Sequence, residues 1–339
     1  MKRISLLLMV ACSIQIFCPP SQQSIVTAQT PNLQTEDSDR FLQTASKPPR
    51  PKRDYTRDVE SLLSRMTLEE KVGQMTELEI GMVTTGEGND IHVDAAKVEK
   101  AVIKYGAGSI LNVHDHALTV DKWREIIRDL QAAAEKTRLK IPIIYGIDTI
   151  HGANYIQGST LFPQEIGMAA TWNPALMQRG AEIAAAETRA AGIPWTFSPV
   201  LDLGRQPLWP RFYETFGEDP YLASVMGVAF VRGVEGDDLS SPTHVATSLK
   251  HYMGYSFPRT GRDRTPAWVP ENYLREYFLP SFAAAVKAGA HTVMVNSAEI
   301  NGTPGHINHH VLTDILRTEL GFKGFVVSDW EDIKKLVSI

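Results

Sequence analysis

The sequence predicts an α/β fold: a (β/α)8 TIM-like barrel, incomplete at its C-terminal end, with about seven βα units present. Two observations predict it. Short apolar runs bounded by Gly, Pro or polar residues alternate with longer amphipathic segments, the pattern of parallel βα units. Chemically capable side chains then follow strand after strand: Asp148, Asp202, Lys250 with His251, Asn296 with Glu299, and Asp329. In a closed barrel these positions ring one mouth, whereas an open doubly wound sheet would gather them at a single switch point.

The chain opens outside the fold. Lys2 and Arg3 precede an apolar run from Ile4 to Phe17, and a polar stretch ends at Val26-Thr27-Ala28. That order predicts a signal peptide over 1–28, cut after Ala28, and export to the periplasm or the medium. The run falls short of the ~20 residues a membrane-spanning helix needs, so no membrane association is expected once the signal is removed. A lipoprotein reading at Cys12 meets a poor residue, Met9, three places before it. Cys12 and Cys18 both leave with the signal, and disulfide and thiolate chemistry leave with them. Residues 29–53 are rich in Gln, Thr, Ser, Asp and Pro and poor in large apolar side chains, which predicts a disordered linker and places the fold at 54–339.

Within the fold, Thr67 and Glu70 form a capping box that opens a helix through Met75. Strands are expected at Ser109–Val113, Ile141–Ile147, Trp195–Val200, Val245–Leu249, Thr292–Val295 and Phe325–Val327, with a weaker one near Met75–Ile80. Between them, Asp121–Lys136 places Trp123, Ile126, Ile127 and Leu130 on one helical face. Asn173-Pro174 starts a helix over Ala175–Ala191 that stops at Gly192. Further helices cover Pro220–Val234, Asn272–Lys287 and Val311–Leu320.

Composition narrows the chemistry. With 43% hydrophobic and 22% charged residues the chain is an ordinary globular protein, and a net charge of −5 argues against a dedicated nucleic-acid binder. No glycine-rich phosphate loop follows the early strands, so no nucleotide cofactor is expected. The last strand delivers Asp329 followed by Trp330, a carboxylate beside a flat apolar ring. That pairing suits glycoside cleavage, although an Asp there would equally cap a helix over Glu331–Val337.

Five ordered segments make the reading specific. Gly321-Phe322-Lys323-Gly324-Phe325-Val326-Val327-Ser328-Asp329-Trp330 resembles the nucleophile segment of glycoside hydrolase family 3. The segments 142–152, 197–202, 211–220 and 248–252 resemble that family in the right order, over the chain from about Met66 onward. The resemblance implies Asp329 as the nucleophile of a retaining reaction on terminal β-D-glucosyl residues. It implies that Asp148, Arg211, Lys250 and His251 hold the hydroxyls of the −1 sugar, that Trp330 lines its subsite, and that no metal or cofactor takes part. Physically, Asp accepts from vicinal hydroxyls, while Lys and Arg donate and bring positive charge near a carboxylate that must stay ionised. Lys250 and His251 are neighbours, so a shared role requires their strand to bend or end there.

The second carboxyl of a retaining pair is missing from this pattern. In the β-glucosidase branch it resembles, the acid/base Glu lies in a second domain, and the chain ends ten residues after Asp329. The loop 252–263 lacks the Asp-Ser-His pattern of the N-acetylglucosaminidase branch. Glu299 and Glu331 are weak substitutes, so the expectation is a truncated barrel, inactive by itself. Two other classes remain open: a non-catalytic sugar-binding barrel, and a metal-dependent hydrolase built on His114-Asp115-His116. Trp172, Trp195, Trp209 and Trp268 are candidate sugar platforms that packing would also explain.

Overall fold

The computed structural model describes residues 54–338; the expected signal and linker lie outside the described residues. Seven strands form one parallel sheet in chain order: β1 (Glu77–Glu79), β2 (Ser109–Leu111), β3 (Ile144–Ile147), β4 (Trp195–Thr196), β5 (Ala246–Tyr252), β6 (Thr292–Val295) and β7 (Phe325–Val327). All seven expected strands are present. β1 and β7 are the two edges, so the sheet is a barrel wall that does not close among the described residues.

Helices return the chain from each strand to the next. They are α1 (Thr56–Arg65), α2 (Leu68–Gln74), α3 (95–104), α4 (Val120–Ala134), α5 (Glu165–Ala169), α6 (Pro174–Ala190), α7 (Pro220–Glu235), α8 (271–288), α9 (His310–Glu319) and α10 (Asp332–Lys335). Local chemistry sets their ends. Thr67 Oγ1 accepts the Glu70 N–H at 3.2 Å while the Glu70 carboxylate accepts the Thr67 N–H at 2.9 Å, the reciprocal capping box that the sequence predicts. Asn173 Oδ1 accepts the N–H groups of Ala175 and Leu176, each at 3.1 Å, with Pro174 in the first turn. Helices α1, α3 and α5 were not expected; α3 carries the β1-to-β2 crossover.

Most apolar packing lies outside the sheet. One core joins α6, α7 and α8 to β5 through Met226, Phe230, Leu249, Phe278 and Phe282. A second joins α3 and α4 to β1–β3 through Val102, Ile110, Trp123, Ile126 and Ile147. Inside the wall the filling is small: Trp195, Phe197 and Met294, with Trp195 edge-on to Phe197 and Phe325 at centroid distances of 4.7 and 5.2 Å. Gly146 is required there, because a Cβ on β3 would stand 2.5 Å from the Phe197 ring. Above this layer a cavity of about 1510 Å³ opens at the C-terminal ends of the strands and runs down the gap between β1 and β7.

Candidate active site

The site is built on the irregular end of β5. The ladder between β5 and β6 shifts register between Leu249 and Tyr252, and the Lys250–His251 peptide is cis. Both side chains reach the mouth, which meets the demand the sequence set. Lys250 Nζ donates to Asp148 Oδ1, at the end of β3. His251 enters a different set of contacts.

Asp202, on the loop after β4, accepts both the His251 N–H at 2.9 Å and its Nδ1–H at 2.7 Å through one oxygen. Arg211, from the same loop, grips Glu214 through Nε and Nη2 at 2.6 to 3.1 Å and turns Nη1 to His251 Nε2 at 3.1 Å. Burial first, then the charges of Arg211, Lys250 and Arg264, push the His251 imidazole well below its usual pKa. The ring is therefore neutral; the network puts its proton on Nδ1 and leaves Nε2 an acceptor. Burial pushes the Asp202 carboxyl up to about 7. For Arg211, burial works against the charge, but the hydrogen bonds and charge of Glu214 outweigh it and hold the guanidinium above its usual value.

Asp329 stands just past β7 with its two oxygens in different states. Oδ1 accepts the Trp330 N–H at 2.5 Å and Arg264 Nη2 at 3.0 Å. Oδ2 is buried with no hydrogen-bond partner and lies 3.8 Å from His251 Nε2, itself an acceptor. The capping alternative fails: α10 begins at Asp332 behind Glu331, and the Asp329 side chain caps nothing in it. Trp330 is 44% exposed and lines the cavity rim.

The structure thus brings Asp148, Arg211, Lys250, His251, Asp329 and Trp330 to one cavity. It differs from expectation in which cation touches Asp329. Lys250 and Arg211 are paired with Asp148 and Glu214, and Arg264 is the cation on Asp329. Asp202, Glu214, Arg264 and Asp332 are members that sequence reasoning left without roles. Asp332 accepts from Ser297 Oγ at 2.9 Å and from Lys335, and lies 3.7 Å from Arg264. Among the tryptophans, Trp195 and Trp209 are buried and bonded to Thr292 and Asp263, while Trp172 and Trp268 are exposed. His114, Asp115 and His116 stand partly exposed in the loop after β2, and among the described residues no three His, Cys, Asp or Glu side chains converge as a metal requires.

Comparison with known proteins identifies the family. The sequence model described as Glycosyl hydrolase family 3 N terminal domain matches residues 67–339. The chain belongs to glycoside hydrolase family 3. A lysosomal beta glucosidase of Dictyostelium discoideum is 47% identical over 295 residues, covering 82% of this chain and 36% of that protein. A periplasmic beta-glucosidase of Salmonella typhimurium is 33% identical over 281 residues, covering 82% of this chain and 34% of that protein. In structure, the exo-1,3/1,4-beta-glucanase ExoP from a Pseudoalteromonas species matches with a TM-score of 0.76 at 33% identity, over 86% of this chain and 36% of that one. The glycoside hydrolase family 3 chain described here therefore spans about a third of the length of these relatives. Among the described residues, no helix is long and apolar enough to cross a membrane.

Proposed function

We propose that this chain supplies the nucleophile and the −1 sugar subsite of an exo-acting, retaining hydrolase that releases terminal β-D-glucosyl residues from β-glucosides or oligosaccharides. One observation carries the reading. Asp329 lines the cavity with one oxygen locked by two donors and the other buried without a hydrogen-bond partner. A buried unpartnered carboxylate oxygen costs stability unless a ligand uses it. The relatives' names support the substrate class.

In this reading Oδ2 attacks the anomeric carbon, the bond from that carbon to the leaving oxygen breaks, and the aglycone takes a proton from a general acid. Water then attacks the same carbon, gives its proton to that group, now a base, and frees Asp329. Asp148 accepts from sugar hydroxyls, Lys250 donates to one, and Trp330 offers its ring to the sugar's C–H face. His251 works as one unit with Arg211, a hydroxyl competing with Arg211 for Nε2.

The general acid has no good candidate among the described carboxyls. Asp148, Glu214 and Asp332 are each tied up in an ion pair, with Lys250, Arg211 and Lys335 respectively. Asp202 does not line the cavity, and Glu77 lies at the N-terminal end of β1, away from Asp329. We place the acid in polypeptide outside these residues, in keeping with relatives about three times as long. The first 28 residues, on the same proposal, direct export and are removed.

The test needs no general acid, because fluoride leaves without protonation. A 2-deoxy-2-fluoro-β-glucosyl fluoride is incubated with the protein and the labelled peptide is found by mass spectrometry. The expected label sits on Asp329 and is absent from Asp329→Ala. No label, or label surviving in that variant, rejects the nucleophile.

A further inference from the structure

We propose that Arg264 is a positioning residue for Asp329: its guanidinium fork ties Oδ1 to Ser297 on the loop after β6 and so selects Oδ2 as the attacking oxygen. The proposal rests on Asp329 being the nucleophile. Three loops meet at this side chain. Arg264 comes from the loop after β5, Ser297 from the loop after β6, and Asp329 with Asp332 from the loop after β7. Nη2 donates to Asp329 Oδ1 at 3.0 Å, Nη1 donates to Ser297 Oγ, and Ser297 donates its own hydroxyl proton to Asp332 at 2.9 Å.

The arginine is itself anchored. Its neighbour Asp263 accepts from Trp209 Nε1 at 3.0 Å and Tyr255 Oη at 2.5 Å, two buried aromatics packed edge to face at 5.4 Å. Arg264 has φ +55°, a left-handed conformation that turns its side chain back over the mouth. A planar fork bonded to two groups fixes orientation as a lysine's point charge cannot. With the backbone N–H of Trp330, it gives Oδ1 two donors and leaves Oδ2 none. Burial works against the arginine's charge, yet the Asp329 carboxylate outweighs it and holds the guanidinium above its usual pKa.

The groups facing Asp329 are Arg264 from the loop after β5, His251 from β5, Asp332 on its own loop and His306 from the loop after β6. Only the first is a permanent cation. Rates of labelling by the 2-fluoroglucosyl fluoride are measured against pH and probe concentration for the wild-type chain, Arg264→Met and Arg264→Lys. Arg264→Met is expected to lower the saturating rate about ten- to hundred-fold and to move the acidic limb of the profile to higher pH, with little change in probe affinity. Arg264→Lys is expected to restore the limb, since the charge returns, but not the full rate, since the fork does not. A residue that merely holds the loop would leave the limb where it was. If Arg264→Met folds and labels Asp329 at the wild-type rate with an unmoved limb, the positioning role is wrong and the nucleophile stands. If it fails to fold, Arg264→Lys decides alone, a wild-type rate overturning the proposal. Wild-type label on a residue other than Asp329 rejects the nucleophile, and Arg264 then has nothing to position.

Discussion

At the N-terminal ends of β5 and β6 Glu235 binds His291, and at the C-terminal end of β5 Asp202 binds His251. Both carboxylates are buried and both face an imidazole Nδ1. The difference lies in the second oxygen. Glu235 Oε2 meets His291 at 2.5 Å while Oε1 accepts from Thr247 N–H, Thr247 Oγ1 and His291 N–H at 2.6 to 3.1 Å, so the pair ties α7, β5 and β6 together. Asp202 puts both of its bonds on one oxygen and leaves the other buried without a partner. Its histidine continues through Arg211 toward the cavity. Of these two pairs the one at the base is fully satisfied and the one at the mouth is not, and the mouth is where chemistry can use the difference.

Breaking the base should cost the fold and spare the site. Glu235→Ala strips a partly exposed imidazole and three backbone or hydroxyl donors of their buried acceptor, and a loss of about 2–4 kcal/mol is expected in urea unfolding. Labelling of Asp329, corrected for the folded fraction, should not change. A labelling loss with stability intact would erase the distinction between the two pairs.

Asp202→Asn should do the reverse. Because burial already pushes Asp202 up to about 7, the fold gains little from its charge near neutral pH. Loss of the carboxylate is expected to cost no more than about 1–2 kcal/mol. An Asn can turn its amide toward Nδ1, which moves the ring proton to Nε2 and sets it against Arg211 Nη1. Labelling should fall about tenfold, without the shift of the acidic limb expected for Arg264→Met. A stability loss as large as that of Glu235→Ala would mean that the mouth pair also holds the wall.

Much of this was legible beforehand, for physical reasons that differ by element. Runs such as Thr292–Val295 and Phe325–Val327 are short, rich in β-branched or aromatic residues and bounded by Gly or polar residues, and their observed bounds are those expected. Helix α3 was missed because the segment 95–104 has mixed polarity and only Val98, Ala101 and Val102 buried. Asp148, Lys250, His251 and Asp329 were found because strand ends point to the mouth. Arg264 was not, since three arginines, 259, 262 and 264, share one loop and no periodicity says which turns inward. Its left-handed backbone, and the burial of Asp263 against Trp209 and Tyr255, are properties of the packed chain.

Glu77 takes the comparison into the barrel interior. It lies at the start of β1, on the cavity wall beside the gap toward β7, with Oε1 buried and unpartnered. Burial raises its pKa from 4.5 to about 7. A carboxyl raised on folding stabilises the folded state at low pH and loses that contribution as pH rises from the unfolded value through the folded one. Wild-type stability should therefore decline, relative to Glu77→Gln, between about pH 4.5 and 7, by about 1–3 kcal/mol after allowance for partial exposure. Above pH 7 the gap should be level. Asp202 and Glu165, also raised by burial, and His251, lowered by it, titrate in both proteins and cancel in the difference. The measurement is a pair of urea unfolding curves at several pH values. Parallel stability profiles would mean that Glu77 is ionised and hydrated inside the open wall, and that the interior below the Trp195 layer behaves as mouth rather than core.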